Sequence, residues 1–229
     1  MKQFAVIGLG DFGLNLIETL SKGESQIIAI DIDKTKVQLV KDMVTHALQL
    51  DSTQENALLE AGLHDVDTAI ICMGKDIQDN ILTTAILKRM GIPEIIARAS
   101  SPLHEQILRE VGATRIVNPE KDMGIRIGRQ LLYSKLEDSV DLSQGYVLAD
   151  VRVPVPFIGK TIGDVRFRTK YKVNVIALKK TKKLGRRADD RAVVQEYNSL
   201  PTAEDLLDKD TVLVLVGQRD DIDRVASIE

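Results

Sequence analysis

Short apolar, β-branched runs alternate with helix-period segments through the first half of the chain, and this alternation limits the fold more than any other feature. The runs are "FAVIG", "QIIAID", "HALQLD", "DTAIICMG", "EIIARAS" and "TRIVNP". Strands joined through helices run parallel, and a parallel sheet needs both of its faces covered. The expectation is an α/β fold with a doubly wound parallel sheet. Connecting helices are expected at about 12–22, 34–43, 54–61, 77–90 and 102–111, with Asp33 ahead of the second and Pro102 opening the fifth.

The turn after the first run narrows the expectation. In "FAVIGLGDFGLNLIETL", Gly8, Gly10 and Gly13 form G-x-G-x-x-G between an expected strand and an expected helix. Such a turn lets a pyrophosphate approach the backbone at a helix N-terminus, which makes the sheet Rossmann-like. Asp11 and Phe12 lie inside the turn. An acidic residue is expected about 20 residues further on to bind a ribose. Asp31, closing the second strand in "IAIDID", stands there with Ile32 and Asp33 after it. A carboxylate at this point accepts from ribose hydroxyls and repels a 2′-phosphate, which favours NAD(H), ATP, ADP or AMP over NADP. Asp33 reads equally as a helix N-cap.

Ligands of open α/β sheets bind beyond the carboxyl ends of the strands. The residues there are Asp51 and Ser52, then Met73, Gly74 and Lys75, then Arg98, Ala99 and Ser100. Asp51 suits either a helix cap or an adenosine contact. Arg98, ending an apolar strand, needs an anion: a phosphate fits its fork, and Asp11 or another carboxylate is the alternative. His104, in the first turn of the next helix, either donates to the same phosphates or is a plain surface histidine.

Beyond "TRIVNP" the segment "PEKDMGIRIGRQLLYSKLEDS" opens with Pro119 and carries an apolar face of Ile125, Ile127, Leu131 and Leu132. It has no further parallel strand to return to, so a connecting or docking helix is expected. After about Val140 the pattern changes. "GYVLADVRVPV", "VNVIALKK" and "TVLVLVG" read as strands of a second, smaller α+β domain. The organisation expected is a nucleotide-binding domain over 1–118, a helix and linker over 119–138, and a C-terminal domain over 139–229. The run "KKTKKLGRRADDR" reads as a solvated loop, with contact to a membrane surface or a partner as the alternative.

Composition excludes several classes. With 31 Lys and Arg against 34 Asp and Glu, the net charge of -3 gives no reason to expect a nucleic-acid partner. The single cysteine, Cys72, reads as a buried small hydrophobe of a cytoplasmic protein. No secretory signal is expected ahead of the first strand, and no apolar stretch approaches the ~20 residues that span a bilayer. Any action at a membrane is expected to go through a partner.

Taken together, "FAVIGLGDFG", "AIDID", "LDST", "ILTTAILKRMG", "VGATRIVNPEKDMG" and "IGKTIGDVRFRTKYKVNVIALKK" give a resemblance that covers nearly the whole chain. It resembles the cytosolic regulators of bacterial potassium uptake systems of the Ktr and Trk type, built from RCK domains. The resemblance implies a Rossmann-like N-lobe, a crossover helix, and a small C-lobe. It also implies homodimers assembling into an octameric ring beneath an integral-membrane potassium channel, peripheral at the inner face of the cell membrane. NAD(H) or ATP/ADP exchange would change the ring's shape. Glu120 matches an acidic position beside the phosphates that helps hold a divalent or monovalent cation. Arg168, Asn174, Val175 and Ile176 match positions that bind cyclic di-AMP in some relatives. One departure is Asp11, which stands where ATP-responsive relatives carry an arginine. A carboxylate there repels a γ-phosphate, shifting the expectation toward NAD(H) or ADP, with ATP only beside a divalent ion.

Two other functions remain open on the residues. An NAD-dependent oxidoreductase needs a proton donor or acceptor at the nicotinamide, and all three histidines (His46, His64, His104) and Cys72 fall in the first lobe. A soluble nucleotide-sensing signalling protein would share the binding residues and lack the channel. The expectation is a regulator and not an enzyme.

Overall fold

The protein is described from a computed structural model, which covers residues 1–184 and 192–229. It divides into two compact units, Met1–Lys121 and Asp122–Glu229.

The first unit is a six-stranded parallel sheet in the order β3-β2-β1-β4-β5-β6. Its strands are β1 (Lys2–Ile7), β2 (Ser25–Asp31), β3 (His46–Gln49), β4 (Thr68–Ile71), β5 (Glu94–Arg98) and β6 (Arg115–Val117). The helices are α1 (Asp11–Leu20), α2 (Lys34–Val40), α3 (Glu55–Glu60), α4 (Ile77–Arg89) and α5 (Pro102–Val111). The chain goes one way from β1 and then returns past it, so a crevice opens between β1 and β4 at the carboxyl ends of the strands. Alternation along each strand builds two cores. Ala5, Ile7, Ala69 and Ile71 face Leu58, Leu87 and Leu108 of α3, α4 and α5. Val6, Ile70 and Cys72 face Ile17 and Val40 of α1 and α2. Cys72 is the buried hydrophobe expected, and desolvation pushes its thiol up to about 12.

Two helix starts follow their sequence signals. Asp33 accepts from the Thr35 N–H at 2.8 Å, which makes it the N-cap of α2. Ser101 accepts from the His104 N–H at 3.1 Å, with Pro102 opening α5.

The second unit is a five-stranded sheet in the order β10-β9-β11-β8-β7, antiparallel throughout. Its strands are β7 (Leu136–Asp141), β8 (Tyr146–Arg152), β9 (Asn174–Leu184), β10 (Ala192–Asn198) and β11 (Thr211–Gln218). Val147, Ala149 and Val151 turn inward from β8 against Leu213 and Leu215 of β11 and against Ile222 and Val225 of α8 (Arg219–Ala226). Phe157 packs edge-on against Phe167 at 5.6 Å between centroids and against Tyr171 at 5.4 Å. A short helix α7 (Ile162–Val165) carries a reciprocal cap between Thr161 and Asp164.

One sequence expectation is corrected here. The basic run expected as a loop begins as strand: past the expected strand "VNVIALKK", β9 continues from Thr181 to Leu184 and pairs with Gln195 to Ala192 of β10. The part of that run over 185–191 lies outside the described residues. Strand β7 occupies the end of the segment expected as linker. The apolar face of the connecting helix, α6 (Pro119–Leu132), is uncovered: Leu131 and Leu132 are about four-fifths exposed, at 81% and 79%. In the second unit α6 is tied down by ions instead. Arg126 makes a bidentate pair with Asp138 at 2.6 and 2.5 Å, and the buried Arg129 bonds Ser139 and Asp223.

The packing of α1 on the sheet gives a direct test. A Cβ added at Gly13 would lie 2.1 Å from the Gly8 carbonyl oxygen, whereas one added at Gly10 meets nothing within 4 Å. Gly13→Ala should therefore cost about 1–3 kcal/mol in urea denaturation and Gly10→Ala much less. Equal midpoints for the two variants would show that the close approach relaxes freely.

Candidate functional site

At the crevice between β1 and β4 the first unit holds a cavity of about 540 Å³. It is built from the ends of strands. β1 delivers the glycine turn, where Gly8 takes a φ of +93°, a left-handed conformation that suits glycine, and its N–H bonds the Ile30 carbonyl at 2.8 Å. Gly10, Asp11 and Phe12 follow on the cavity wall, with Asp11 in the first turn of α1. β2 ends on Asp31, which is buried. Asp31 Oδ2 accepts the Leu9 N–H at 2.7 Å, Oδ1 accepts the Asp33 N–H at 2.8 Å, and Lys36 Nζ stands 3.6 Å away. Each carboxylate oxygen retains acceptor capacity beyond one bond, so a ribose diol can still be served.

Ile32, Leu50, Asp51 and Ser52 close the side nearest β2 and β3. Asp51 is not the cap of α3, whose N-cap is Gln54. It accepts from Thr53 N–H at 2.9 Å and Thr53 Oγ1 at 2.7 Å, and these bonds lower its pKa from the ordinary 3.8. Ser52 is buried and shares a 2.9 Å bond with Thr83. Met73, Gly74 and Lys75 follow β4, and Arg98 ends β5.

Arg98 has found a carboxylate, but not Asp11. Its guanidinium pairs with Glu120 of α6, lies over the Phe12 ring at 5.7 Å, and points Nη1 at the Cys72 carbonyl at 3.4 Å. Glu120 and Pro119 complete the cavity wall. Asn118 caps this end of α6, accepting the Lys121 N–H at 3.1 Å.

Five expected residues, Gly13, Asp33, Ala99, Ser100 and His104, are absent from the lining. Gly13 serves the packing of α1, and Asp33 the cap of α2. Ala99 is fully buried. Ser100 bonds His104, whose Nδ1 lies 3.3 Å from the Ser100 N–H and 3.2 Å from its Oγ. His104 is therefore no surface histidine: it is buried, its Nε2 has no hydrogen-bond partner, and burial lowers its pKa below 6.5.

One structural residue escaped the sequence reading. Asn80, fully buried on α4, donates through Nδ2 to the Met73 carbonyl at 2.7 Å and the Arg98 carbonyl at 2.9 Å. It thus holds together the ends of β4 and β5 that form one wall. The signal was a polar run, Asn80, Thr83 and Thr84, on the inward face of α4. Lys36, Asp76 and Asp79 also line the cavity and were not anticipated.

Among the described residues no group of three His, Cys, Asp or Glu side chains could hold a metal. Glu120 has the Arg98 guanidinium beside it. In the second unit a cavity of about 370 Å³ includes Arg168 and Val175 with Arg166, Phe167 and Thr202. Asn174 and Ile176 lie outside its lining.

Residues 4–119 match the TrkA-N domain family and residues 147–228 the TrkA-C domain family. The chain is 34% identical over 223 residues to the Ktr system potassium uptake protein C of Bacillus subtilis (strain 168), covering 97% of its own length and 95% of the relative's. Protein A of the same system and organism is 33% identical over the same coverage. The chain belongs to the TrkA-N/TrkA-C family of potassium uptake proteins. The solved RCK domain of GsuK superposes with a TM-score of 0.64 at 18% identity, covering 99% of this chain and 47% of that one. The GsuK channel bound to NAD gives 0.63 at 19%, covering all of this chain and 39% of that one. This family member thus spans less than half the length of those channel chains, and the likeness to them is one of fold. No helix among its described residues is long and apolar enough to cross a membrane.

The buried imidazole sets a pH dependence. Because the folded pKa lies below the unfolded one, the unfolded chain takes up the proton first as pH falls through about 6.5. The stability tied to a neutral His104 is therefore lost below that point. The melting temperature of the parent should fall more steeply from pH 7 to pH 5.5 than that of His104→Asn. Parallel curves would show that the ring titrates freely in the folded protein.

Proposed function

We propose that this chain is the nucleotide-sensing subunit of a Ktr-type potassium uptake system and that it gates ion flux through ligand-dependent conformational change. The observation that carries the reading is the rim of the first unit: a glycine turn tied to a buried Asp31, with Arg98 across the cavity. That arrangement suits an adenosine with free ribose hydroxyls at one end and an anionic phosphate at the other. The working ligand is NAD(H) or ADP, since Asp11 lines the phosphate side. ATP would bind there with a cation shared between its phosphates and Glu120. The residues assigned to the ligand are Gly8, Gly10, Asp11, Phe12, Asp31, Ile32, Asp51, Ser52, Met73, Gly74, Lys75, Arg98 and Glu120. Gly13, Asp33, Ala99, Ser100 and His104 support them from behind.

In this reading residues 1–118 sense the ligand, 119–138 connect, and 139–229 form a regulatory lobe where Arg168, Asn174, Val175 and Ile176 would meet cyclic di-AMP. Homodimers assemble into an octameric ring on the cytoplasmic face of an integral-membrane channel subunit. A ligand gates only by the difference in its affinity for two conformations. The site favours binding over chemistry. No histidine is among the residues lining the cavity, and Cys72, which does line it, has its thiol pushed up to about 12. The ligand is released unaltered.

Two substitutions test the ligand assignment by calorimetry. Asp31→Asn should weaken ADP and NAD binding by roughly ten-fold or more, since bonds to a charged acceptor are worth about 1.5–3 kcal/mol. Unchanged affinity removes Asp31 from the site. Asp11→Arg should raise the ratio of ATP to ADP affinity, and a ratio that stays put defeats the charge argument. Co-purification with a membrane channel subunit in detergent tests the partner.

A further inference from the structure

The ion pair between Arg98 and Glu120 lies inside the cavity, and both of its members are wall residues. We propose that Glu120 is a built-in occupant of the anion seat at Arg98, displaced when a ligand phosphate arrives. The proposal rests on the nucleotide reading above and adds to it an internal competitor.

Arg98 is held as a fixed receptor. Asn80 pins its backbone carbonyl to that of Met73, and its guanidinium lies against Gly74 so closely that an added Cβ would sit 2.8 Å from Cζ. Phe12 covers it at 5.7 Å, and its side chain is one-fifth exposed. Glu120 is the looser member, with its side chain 62% exposed in the first turn of α6. A guanidinium fork takes two oxygens of one anion, and a phosphate offers such a pair with at least as much charge as a carboxylate. Both anions cannot crowd the same Nη2 without repelling each other across a few ångström. The half-exposed carboxylate therefore yields.

The exchange couples occupancy to α6. When Glu120 leaves Arg98, the first turn of α6 loses its side-chain tie to the sheet, while Arg126 and Arg129 still fix the later turns to Asp138 and Asp223. The freed carboxylate is then available to other charges.

Calorimetry with ADP in buffer containing EDTA measures the competition. An exposed pair of this kind is worth about 0.4–1 kcal/mol, so Glu120→Asp, which keeps the charge and shortens the reach, should bind ADP about two- to five-fold more tightly than the parent. Glu120→Gln should do so at least as well. In an Arg98→Gln background Glu120→Asp should change nothing, because no seat remains to vacate. Parent-like affinity in Glu120→Asp overturns the competition while leaving the nucleotide reading intact, and so does a gain that persists without Arg98. Absence of ADP and NAD binding in every form, parent included, overturns both.

Discussion

The carboxylate of Asp31 takes the N–H of Leu9 into the end of β2, so the glycine turn and the acidic strand end form one hydrogen-bonded body. Without that bond the turn would be an open loop between β1 and α1. With it, the Leu9 amide is spent inside the protein, and the wall on the β1 and β2 side of the crevice is held together. The second oxygen of Asp31 holds the Asp33 N–H, which delivers the cap of α2. One buried acid thus shapes the site before any ligand enters it. Asn80 does the same on the far side, joining the ends of β4 and β5.

The parallel sheet was readable because its strands are continuous apolar runs and its helices carry caps and prolines in the right places. Six strands and five helices fall where the periodicity puts them. The glycine turn made the sheet Rossmann-like, and the structure supplies the strand order, with β1 at the crevice. What could not be read were choices of hydrogen-bond partner. Whether Arg98 takes Asp11 or Glu120 depends on where α6 starts in space, and Pro119 tells only that it starts. Whether His104 is wet or dry depends on packing around α5, to which a single histidine in a polar helix gives no clue.

The second unit was less legible for a different reason. β7, "LEDSVD", and β10, "AVVQEYN", are edge strands, and an edge strand with charged residues has neither the apolar run nor the clean alternation of an inner one. β8 and β11 lie inside the sheet and were found. β9 was found as far as Lys180, where Lys179 pairs with Asp150 and Lys180 with Asp208 at the sheet surface, and only its basic continuation over 181–184 read as a loop. The apolar residues of helix α6 suggest a connecting or docking helix, and the side chain it buries is Arg129, matched by Asp223.

The lone sulfhydryl has a practical value. Cys72 exposes only 3% of its surface, at the cavity wall, and its thiol is pushed up to about 12, so maleimide and nitroxide reagents react with it slowly in the native protein. A cysteine introduced on either unit's surface is labelled first, and pairs of such positions give spin-label or fluorophore distances on the otherwise unaltered chain.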